Sequence, residues 1–469
     1  MFRLLRRIIP SWALLFYHRV LAWCAVFWYQ YPSRELVVIG VTGTNGKSTT
    51  VNLIGRILEG AGYTVGWTST MNFKIGKREW LNDLKMTMPG RFLLQKMLRQ
   101  MVDVGCTHAV IETSSEGIAQ CRHLGIDYDV AVFTNLTPEH IESHGGFENY
   151  KRAKLKLFQK VELAGTASLI GRNDSPIRAN RRKVIRGIPV KRGIVVNADD
   201  PAAKEFIAFN VDDRIAVSIR RDGKPAAAEK LSNQCRAMTA EMVEVGPEGS
   251  HFSVYGTEVD LKLLGEFNVS NALCAMAATK LLGVSVEQSA RALEQIVEMP
   301  GRVDFIEEGQ PFLVLVDYAP EPVSLGKLYE LLSFVPHRRL IHVLGSCGGG
   351  RDKARREVLG RMAAEHADVV IVTNEDPYDE DPMEIINAVA AGAQEVVKKV
   401  TGKVRSEHIY RILDRRDALR LALSLADDGD LVLATGKGSE QAICVGNGRK
   451  VPWDEREVLR ELLIQKRSV

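Results

Sequence analysis

The feature that most constrains the fold is a short apolar run that leads through a glycine loop into a helical repeat. Residues 36–39 are Leu-Val-Val-Ile, residues 43–48 are Gly-Thr-Asn-Gly-Lys-Ser, and apolar side chains then recur at helical spacing as far as Leu58. A strand that turns through glycines into a helix directs backbone N–H groups and the positive end of the helix toward an anion. The segment therefore predicts a phosphate-binding site in a parallel α/β sheet.

The side chains of this loop suit a nucleoside triphosphate. Lys47 supplies charge for the outer phosphates, and Ser48 supplies a hydroxyl group that can ligate Mg²⁺. The strict GxxxxGK[ST] pattern needs glycine where this chain has Val41, so the loop is a variant, and a glycine turn that binds nothing is the alternative. The strand-to-helix context favours binding. We predict nucleotide contacts from the whole glycine loop, which comprises Thr42, Gly43, Thr44, Asn45, Gly46, Lys47, Ser48 and Thr49.

Apolar runs elsewhere extend the α/β pattern. Runs at 109–111 and 130–133 predict buried strands beside the loop, and a second series follows at 312–316, 340–344, 369–372 and 431–433. A chain of 469 residues suggests two or three domains. We predict a helical segment at 1–34, a P-loop-type parallel-sheet ATPase domain at 35–299 and a Rossmann-like α/β domain at 300–469. The Met299-Pro300-Gly301 break marks the second boundary.

Charge and cysteine content argue against several classes of partner and of structural site. The formal net charge of +4 gives no reason to expect nucleic acid as a partner. Seven cysteines lie scattered without a CxxC pair, so neither a disulfide framework nor a thiolate zinc site is indicated. These features fit a reducing cytoplasm.

Residues 1–31 combine arginines with many aromatic and aliphatic side chains. Arg19 would lie near the bilayer centre in a spanning helix, which is costly. Five polar residues share one side of a helical wheel, namely Arg3, Arg6, Arg7, Ser11 and His18. That pattern predicts either a helix on the inner face of the membrane or an apolar helix packed on the protein itself. Residues 160–195 are strongly basic and predict a solvated insertion, with a patch for anionic lipid or phosphate as the alternative.

Later segments form an ordered series of motifs. They are ETSSEG at 112–117 followed by Arg122, TNLTPEHIESHG at 134–145, YKRAK at 150–154, GEFNVSN at 265–271, PGR at 300–302, DYA at 317–319, GGGRDK at 348–353, GKGSE at 436–440 and DERE at 454–457. Together with the glycine loop, this series resembles the Mur ligases, the ATP-dependent ligases that build the peptide of peptidoglycan. The pattern is most similar to the tripeptide-forming members.

The resemblance implies a reaction in two steps. A donor carboxylate attacks the γ-phosphate of ATP and releases ADP, and an amine then displaces phosphate from the acyl phosphate to form an amide. Because two anions meet in the first step, cations and two Mg²⁺ ions are implied. The implied catalytic residues are Lys47, Glu112, His140 and Lys154, and the implied metal ligands are Ser48, Glu112, His140 and Lys154.

Lys154 has a specific role in the resembling family, where the matching lysine reacts with CO₂ to form a carbamate. That reaction needs an unprotonated amine, which partial burial would favour. On local sequence alone, a surface lysine on a basic helix is the alternative, and the YxxAK match favours the carbamate.

The remaining implied residues surround the nucleotide and the two substrates. For the base and ribose they are Asn135, Asn271, Arg302 and Asp317, although Asn271 also suits a helix cap and Asp317 a strand-end turn. For the substrates they are Thr87, Ser114, Arg122, Arg351, Asp376, Tyr378, Gly436 and Glu440. The implied partners are a muramoyl-peptide donor and a small amino acid.

Several positions depart from the family pattern. Glu116, Glu139, Pro320 and Ser439 replace residues usual in tripeptide synthetases. Enzymes that add diaminopimelate carry DNPR, whose arginine binds the distal carboxylate, whereas this chain has Tyr378 there. Tyrosine cannot make a charged bidentate contact, so lysine or another diamino acid is equally open as the acceptor.

The start of the chain also departs from the pattern. Family synthetases place a domain of about a hundred residues before the loop to hold the UDP group. Here only about forty residues precede Gly43, so the donor is expected to be held differently, either UDP-linked or lipid-linked. Other ligases of the superfamily, folylpolyglutamate-like or cyanophycin-like, are alternatives. A non-catalytic membrane scaffold switched by ATP is another.

Overall fold

The computed structural model describes residues 10–139, 144–162, 183–221, 224–399 and 403–467. Within these ranges the strands form two large sheets and two short ribbons. The eleven-stranded sheet contains β1 (Val37–Thr42), β2 (Val65–Thr68), β3 (Asn72–Ile75), β4 (Arg78–Leu81), β5 (His108–Glu112), β6 (Val130–Phe133), β9 (Gly193–Asn197), β10 (Asp213–Ile219), β11 (Arg236–Gly246), β12 (Gly249–Val254) and β13 (Thr257–Leu261).

The six-stranded sheet follows later in the chain. It contains β14 (Asp304–Phe305), β15 (Leu313–Asp317), β16 (Leu340–Leu344), β17 (Val369–Thr373), β18 (Ile409–Ile412) and β19 (Leu431–Thr435). The ribbons are β7 (Val184–Ile185) with β8 (Ile188–Pro189), and β20 (Ala442–Val445) with β21 (Arg449–Pro452).

Helices connect and cover these sheets. In the described residues they are α1 (Ser11–Trp28), α2 (Lys47–Gly60), α3 (Arg91–Asp103), α4 (Ser115–Ala119), α5 (Phe147–Val161), α6 (Ala203–Ile207), α7 (Glu266–Leu281), α8 (Val286–Glu294), α9 (Pro322–Leu332), α10 (Arg355–His366), α11 (Pro382–Lys399), α12 (Arg415–Leu425) and α13 (Glu455–Arg467). Short 3₁₀ turns lie at Pro32–Arg34, Glu229–Leu231, Ser406–His408 and Gly446–Gly448. The predicted α/β fold class is confirmed, since the predicted strands and the helix after the glycine loop are all present.

Strand β1 lies between β5 and β6, and all three run parallel. Gly40 is level with Ile111 on one side and with Ala131 on the other. Because parallel strands end at the same edge, Thr42, Glu112 and the residues after Phe133 lie together there, where α/β proteins bind their ligands. The sheet therefore brings three sequence motifs to one edge.

Both faces of β1 are buried, which explains its nearly continuous apolar sequence. Ile39 and Val41 belong to a core with α2 and α7, whereas Val38 lies in a second core on the opposite face. Each fully buried side chain of this size contributes about 1.5–3 kcal/mol to stability. Gly40 is needed because a Cβ atom there would lie 2.8 Å from both Leu157 and Tyr128.

Helix α1 buries the side that carries His18. His18 is buried together with Ala22, Ala25 and Val26, and Val26 packs against Gly125. The small side chains beside His18 allow this side of the helix to pack closely on the protein, as the second of the two alternatives for residues 1–31 expects. Exposed aromatic side chains occupy the other side. None of the helices in the described ranges has the length and apolarity that crossing a bilayer requires.

The basic segment is only partly described, since residues 163–182 lie outside the described residues. Lys183 departs from the predicted solvated insertion. Its ammonium group donates to the Leu36 carbonyl at 2.9 Å, to the Asp127 carbonyl at 2.8 Å and to the Asp129 carboxylate at 2.5 Å. The Lys183 side chain is thus buried beneath the start of β1.

Candidate active site

The glycine loop turns from β1 into α2 by a left-handed residue. Gly46 has a φ of +78°, and a Cβ atom there would lie 2.2 Å from Asn271 Oδ1. Its carbonyl accepts the first helical hydrogen bond, from Thr50 N at 2.9 Å. Glycine is therefore required both by the backbone angle and by the close approach of α7.

Asn135 fixes the conformation of the loop. Its Oδ1 atom accepts from Asn45 N at 2.8 Å, and its Nδ2 atom donates to Asn45 O at 3.1 Å. The Asn135 carbonyl accepts from Thr44 N at 2.9 Å. The predicted nucleotide-binding residue Asn135 thus holds the loop in shape, and it also lines the cavity described below.

Glu112 connects the loop to the end of β2. It accepts from Ser48 Oγ at 2.7 Å, from Thr70 N at 2.6 Å and from Thr70 Oγ1 at 2.9 Å. A hydroxyl and a carboxylate side by side are hard oxygen donors of the kind that Mg²⁺ prefers, so this pair fits the implied metal. In the described ranges, no group of three or more His, Cys, Asp or Glu side chains is arranged to hold a metal ion. His140 lies outside the described residues.

Lys154 is buried behind the loop on α5. Its ammonium group donates to the Gly43 carbonyl at 2.6 Å and lies 4.3 Å from the centre of the Tyr150 ring. Burial lowers the pKa of Lys154 well below its ordinary value, and the nearby charge of Lys47 lowers it further. The surface alternative for Lys154 is wrong, because α5 turns this residue into the core.

The C-terminal sheet faces the loop across a cleft. Asn45 Nδ2 donates to Glu321 Oε1 at 2.9 Å, and Glu321 also caps α9. Arg302 stacks on Tyr318 with its guanidinium carbon 4.2 Å from the ring centre. Asp317 accepts from Val303 N and Ala319 N, so it forms the predicted strand-end turn as well as part of the cleft.

A cavity of about 250 Å³ occupies the cleft. Most predicted nucleotide residues line it, namely Thr44, Asn45, Gly46, Lys47, Ser48, Thr49, Asn135, Asn271, Arg302 and Asp317, together with Glu112, Thr87 and Arg351. Thr42 and Gly43 belong to the loop without lining the cavity, and Lys154 lies behind the loop. The geometry therefore brings together a phosphate loop, oxygen ligands and basic groups.

Two residues predicted to contact substrate instead bind other groups of the protein. Ser114 caps α4 by accepting from Gly117 N at 3.1 Å. Arg122 donates to the Met88 carbonyl, and to Gln120 Oε1 at 2.7 Å. Thr87 lies near Glu112, because Thr70, which binds Glu112, also donates its hydroxyl to the Thr87 hydroxyl at 3.0 Å.

A buried group of charges lies at one end of the C-terminal sheet, and we call it the lysine–carboxylate cluster. It consists of Lys85, Asp376, Lys437 and Glu440. Lys437 lies 3.1 Å from Asp376 Oδ1 and 3.0 Å from Glu440 Oε2, while Lys85 lies 2.7 Å from Asp376 Oδ2 and also contacts Glu440. Burial alone would lower the pKa of Lys437, but the two carboxylates outweigh it and raise that pKa.

The other predicted acceptor residues surround this cluster. A Cβ atom on Gly436 would lie 2.5 Å from Glu375, which directly precedes Asp376 in the chain. Tyr378 packs against Gly349. Arg351 is half-buried, and Cys347 and Tyr318 lie near its charge. The structure thus brings Arg351, Asp376, Tyr378, Gly436 and Glu440 into one region.

Three residues with direct roles in this geometry escaped prediction. Thr70 holds Glu112, Glu321 holds Asn45, and Lys85 completes the cluster. None of them lies in a recognisable motif, and their partners are far away in the chain. Thr70 meets Glu112 because β2 pairs with β5, whereas Glu321 and Lys85 meet their partners only through the approach of the two sheets.

Comparison with known proteins agrees with this architecture. The Mur ligase middle domain matches residues 41–204 and 176–279, and the Mur ligase, glutamate ligase domain matches residues 301–438. A UDP-N-acetylmuramyl-tripeptide synthetase from Roseiflexus sp. (strain RS-1) is 38% identical over 454 residues, covering 95% of this chain and 82% of the relative. A UDP-N-acetylmuramoyl-L-alanyl-D-glutamate--2,6-diaminopimelate ligase from Geobacillus kaustophilus is 35% identical, covering 94% and 82%.

Solved structures give the same picture. A UDP-N-acetylmuramoyl-L-alanyl-D-glutamate--2,6-diaminopimelate ligase superposes with a TM-score of 0.57 at 26% identity, covering 92% of this chain and 79% of the other. A Mycobacterium tuberculosis folylpolyglutamate synthase reaches 0.62 at 16% identity, covering 91% and 96%, which is a likeness of fold alone.

Fold and site together define an ATP-dependent ligase that joins a carboxylate to an amine. The chain belongs to the Mur ligase family. It is therefore an amide-forming enzyme of peptidoglycan precursor synthesis. The enzymes of this family use ATP and Mg²⁺. The matches do not favour the folylpolyglutamate-like, cyanophycin-like or scaffold alternatives.

Proposed function

We propose that this enzyme adds the third residue of the peptide to a muramoyl-dipeptide donor. The observation that carries the proposal is the meeting, in one cleft, of the glycine loop, the Ser48–Glu112 pair and the acceptor region around Arg351. Relatives named as tripeptide synthetases and diaminopimelate ligases support the choice of step. The division of the chain near residue 300 into two catalytic domains is part of the same proposal.

In this proposal the protein's own groups handle charge and position. The loop N–H groups and Lys47 hold the phosphates while the donor carboxylate oxygen attacks the γ-phosphorus and ADP leaves. The acceptor amine nitrogen then attacks the acyl carbon, and inorganic phosphate leaves. Mg²⁺ bound by Ser48 and Glu112, with His140 as a further proposed ligand, would offset the negative charge of the phosphates.

Lys154 is proposed to carry a carbamate. Burial lowers the pKa of Lys154 well below its ordinary value, and this favours the unprotonated amine, the form that adds to CO₂. The carbamate would place a negative group behind the loop, where Lys47 and the metal region lie. The Lys154 amine already lies against the loop backbone, since it donates to the Gly43 carbonyl at 2.6 Å.

The acceptor amino acid is proposed to bind between Arg351 and the lysine–carboxylate cluster. The Arg351 guanidinium would hold the α-carboxylate, since a planar fork suits that group. Asp376, Tyr378, Gly436 and Glu440 would surround the acceptor side chain. Thr87, Ser114 and Arg122 are proposed to lie toward the donor.

Helix α1 supports a second proposal, a peripheral contact with anionic lipid. Several of its aromatic side chains are more than half exposed, namely Trp12, Phe16, Tyr17, Phe27 and Trp28. The first acidic residue in the chain is Glu35, so this segment carries only positive charge. Exposed aromatic residues on a basic helix suit the membrane interface.

One assay tests the ligase proposal. ADP release and product mass are measured with UDP-linked and lipid-linked muramoyl-dipeptide, each with diaminopimelate, lysine, ornithine or glutamate. Turnover that needs both donor and acceptor supports the proposal, and ADP release that does not depend on the acceptor contradicts it.

A second experiment tests the lipid contact of α1. Sedimentation with phosphatidylglycerol vesicles is compared between the wild type and a Trp12→Ser/Phe16→Ser/Phe27→Ser variant. Equal binding of the two proteins would contradict it.

A further inference from the structure

Two arginines lie next to each other on the donor side of the cleft, where Arg122 is proposed to act. The Arg91 guanidinium, at the start of α3, donates to the Gln120 carbonyl. The Arg122 guanidinium donates to Gln120 Oε1 at 2.7 Å and to the Met88 carbonyl. Because Met88 directly follows Thr87, which lines the cavity, the two guanidinium groups lie just beyond the cavity wall.

The two guanidinium groups form no ion pair with a carboxylate in the part of the chain that the structure describes. The Nε atom of each is also buried without a hydrogen bond. Burial lowers the pKa of Arg122, and the nearby charge of Arg91 lowers it further, whereas Glu116 raises it. Two such groups repel each other, and a diphosphate would offset the repulsion because each of its phosphates can accept hydrogen bonds from a guanidinium.

Helix α1 runs alongside α3 and begins beside this arginine pair. Burial lowers the pKa of Arg91, while the nearby Cys121 and Tyr17 raise it, so the first half of α1 lies close to the pair. At the other end of α1, the Tyr29 carbonyl accepts from Arg99 Nε at 3.1 Å, further along α3. The second half of α1 is therefore directed away from the arginine pair.

Exposed apolar side chains flank the arginine pair and continue along α1. On α3, Phe92 directly follows Arg91 and is 41% exposed. On α1, Phe16 is 65% exposed and Phe27 is 73% exposed. These two lie on the same side of α1, because their spacing is close to three full turns of an α-helix. A ligand with an anionic head at the arginines and a long apolar tail would cover this surface.

We propose that the donor is a muramoyl peptide whose diphosphate carries a lipid chain, with the diphosphate between Arg91 and Arg122 and the chain along the exposed side of α1. This inference rests on the proposed ligase function and on the proposed lipid contact of α1. A UDP-linked donor offers the same diphosphate but no chain to cover the apolar side chains. The helix that holds the enzyme at the membrane would thus also guide the lipid part of the donor to the cleft.

The kinetic test compares Phe16→Ser with Phe27→Ser in solution without vesicles. The donors are muramoyl-dipeptide on farnesyl diphosphate and on UDP, each with the amino acid that gives turnover. The wild type should have a KM for the farnesyl donor at least about tenfold below that for the UDP donor, because the chain covers apolar side chains. Phe16→Ser should raise the KM for the farnesyl donor by about fivefold and leave the UDP donor unchanged. Phe27→Ser, at the far end of the same side, should change neither constant.

The outcomes separate this inference from the ligase proposal. Equal KM values for the two donors in the wild type would overturn the lipid-linked donor, although the enzyme would still be a ligase. An equal rise in Phe16→Ser and Phe27→Ser would also overturn it, since the effect would not depend on the distance from the arginine pair. If neither donor is turned over, the ligase proposal fails, and the binding measurement decides on the surface itself.

Binding without turnover tests the same surface. Isothermal titration calorimetry measures the Kd of farnesyl diphosphate and of inorganic diphosphate after the glycine loop has been saturated with a non-hydrolysable ATP analogue. Farnesyl diphosphate should bind at least about tenfold more tightly than inorganic diphosphate. Arg91→Met should weaken the binding of both, and Phe16→Ser only that of farnesyl diphosphate. Equal Kd values in the wild type, or an Arg91→Met variant that binds both like the wild type, would overturn the inference.

Discussion

The glycine loop and the lysine–carboxylate cluster are both buried and polar, yet they are built by opposite means. The loop uses consecutive residues, and its shape depends on hydrogen bonds between backbone groups and Asn135. The cluster uses charges from separate parts of the chain, with Lys85 located 291 positions from Asp376. The comparison teaches that the phosphate end is built on one continuous loop that distant residues hold in shape, whereas the acceptor end has no continuous segment and exists only after long-range assembly.

If the acceptor end depends on assembly, its supporting ion pair should be the most sensitive point. Arg415 is 1% exposed, and it pairs with Glu455 at 2.6 Å while donating to the Thr435 carbonyl at 2.7 Å. Glu455→Ala should lower the free energy of unfolding by about 3–5 kcal/mol, because Arg415 becomes a buried unpaired charge. Denaturant unfolding measures this change. Glu457→Ala, which removes an exposed pair with Arg460, should cost less than about 1 kcal/mol.

On the nucleotide side, Lys154 should affect chemistry more than folding. Lys154→Ala should reduce ligation by about a hundredfold, since a negative group beside the phosphate site would be lost. Short carboxylates such as acetate should restore part of the rate, as measured by ADP release. Lys156→Ala on the same helix is the control, and full activity of Lys154→Ala would exclude the carbamate.

The loop itself should tolerate no side chain at its left-handed position. Gly46→Ala should lower the free energy of unfolding by about 1–2 kcal/mol from backbone strain, and it should also raise the KM for ATP because Asn271 must move. Thermal unfolding and ATP titration measure the two effects. Gly62→Ala, at a position of positive φ with open space around it, should show strain without a change in the KM for ATP. An equal rise in the KM for ATP in Gly46→Ala and Gly62→Ala would show that the contact with Asn271 is unimportant.

The smallest effect should appear at the opposite end of β19 from the cluster. Burial alone would raise the pKa of Asp430, but Arg339 and Arg338 lower it from 3.8 to about 2. Because the folded pKa is the lower one, this stabilisation is present above pH 3.8 and is lost as the pH falls through about 2. Asp430→Asn should therefore flatten the acid limb of the stability curve and leave ligation at neutral pH unchanged. If the acid limb of the stability curve is the same in Asp430→Asn as in the wild type, this prediction is contradicted.

Prediction from sequence succeeded where neighbours in the chain determine the structure. The run at 340–344 is the observed strand β16, and the predicted helix after the loop is α2 with slightly wider limits. It failed where packing between distant segments decides. The helical wheel for residues 1–31 left two alternatives open, because no local pattern shows that Val26 packs on Gly125. No local pattern encodes the partners of Lys85, and the proposed nucleotide contacts stay predictions from the family resemblance.

The pairing of Arg415 with Glu455 has a consequence for the order of events during synthesis. Protein domains fold from the N-terminal side as the ribosome extends the chain. The strands around the glycine loop are complete long before Glu455 is translated, but Arg415 has to wait forty residues for its partner. We therefore expect the nascent enzyme to acquire its phosphate end first, and to pass through a period in which the acceptor end is unfinished and dependent on chaperones.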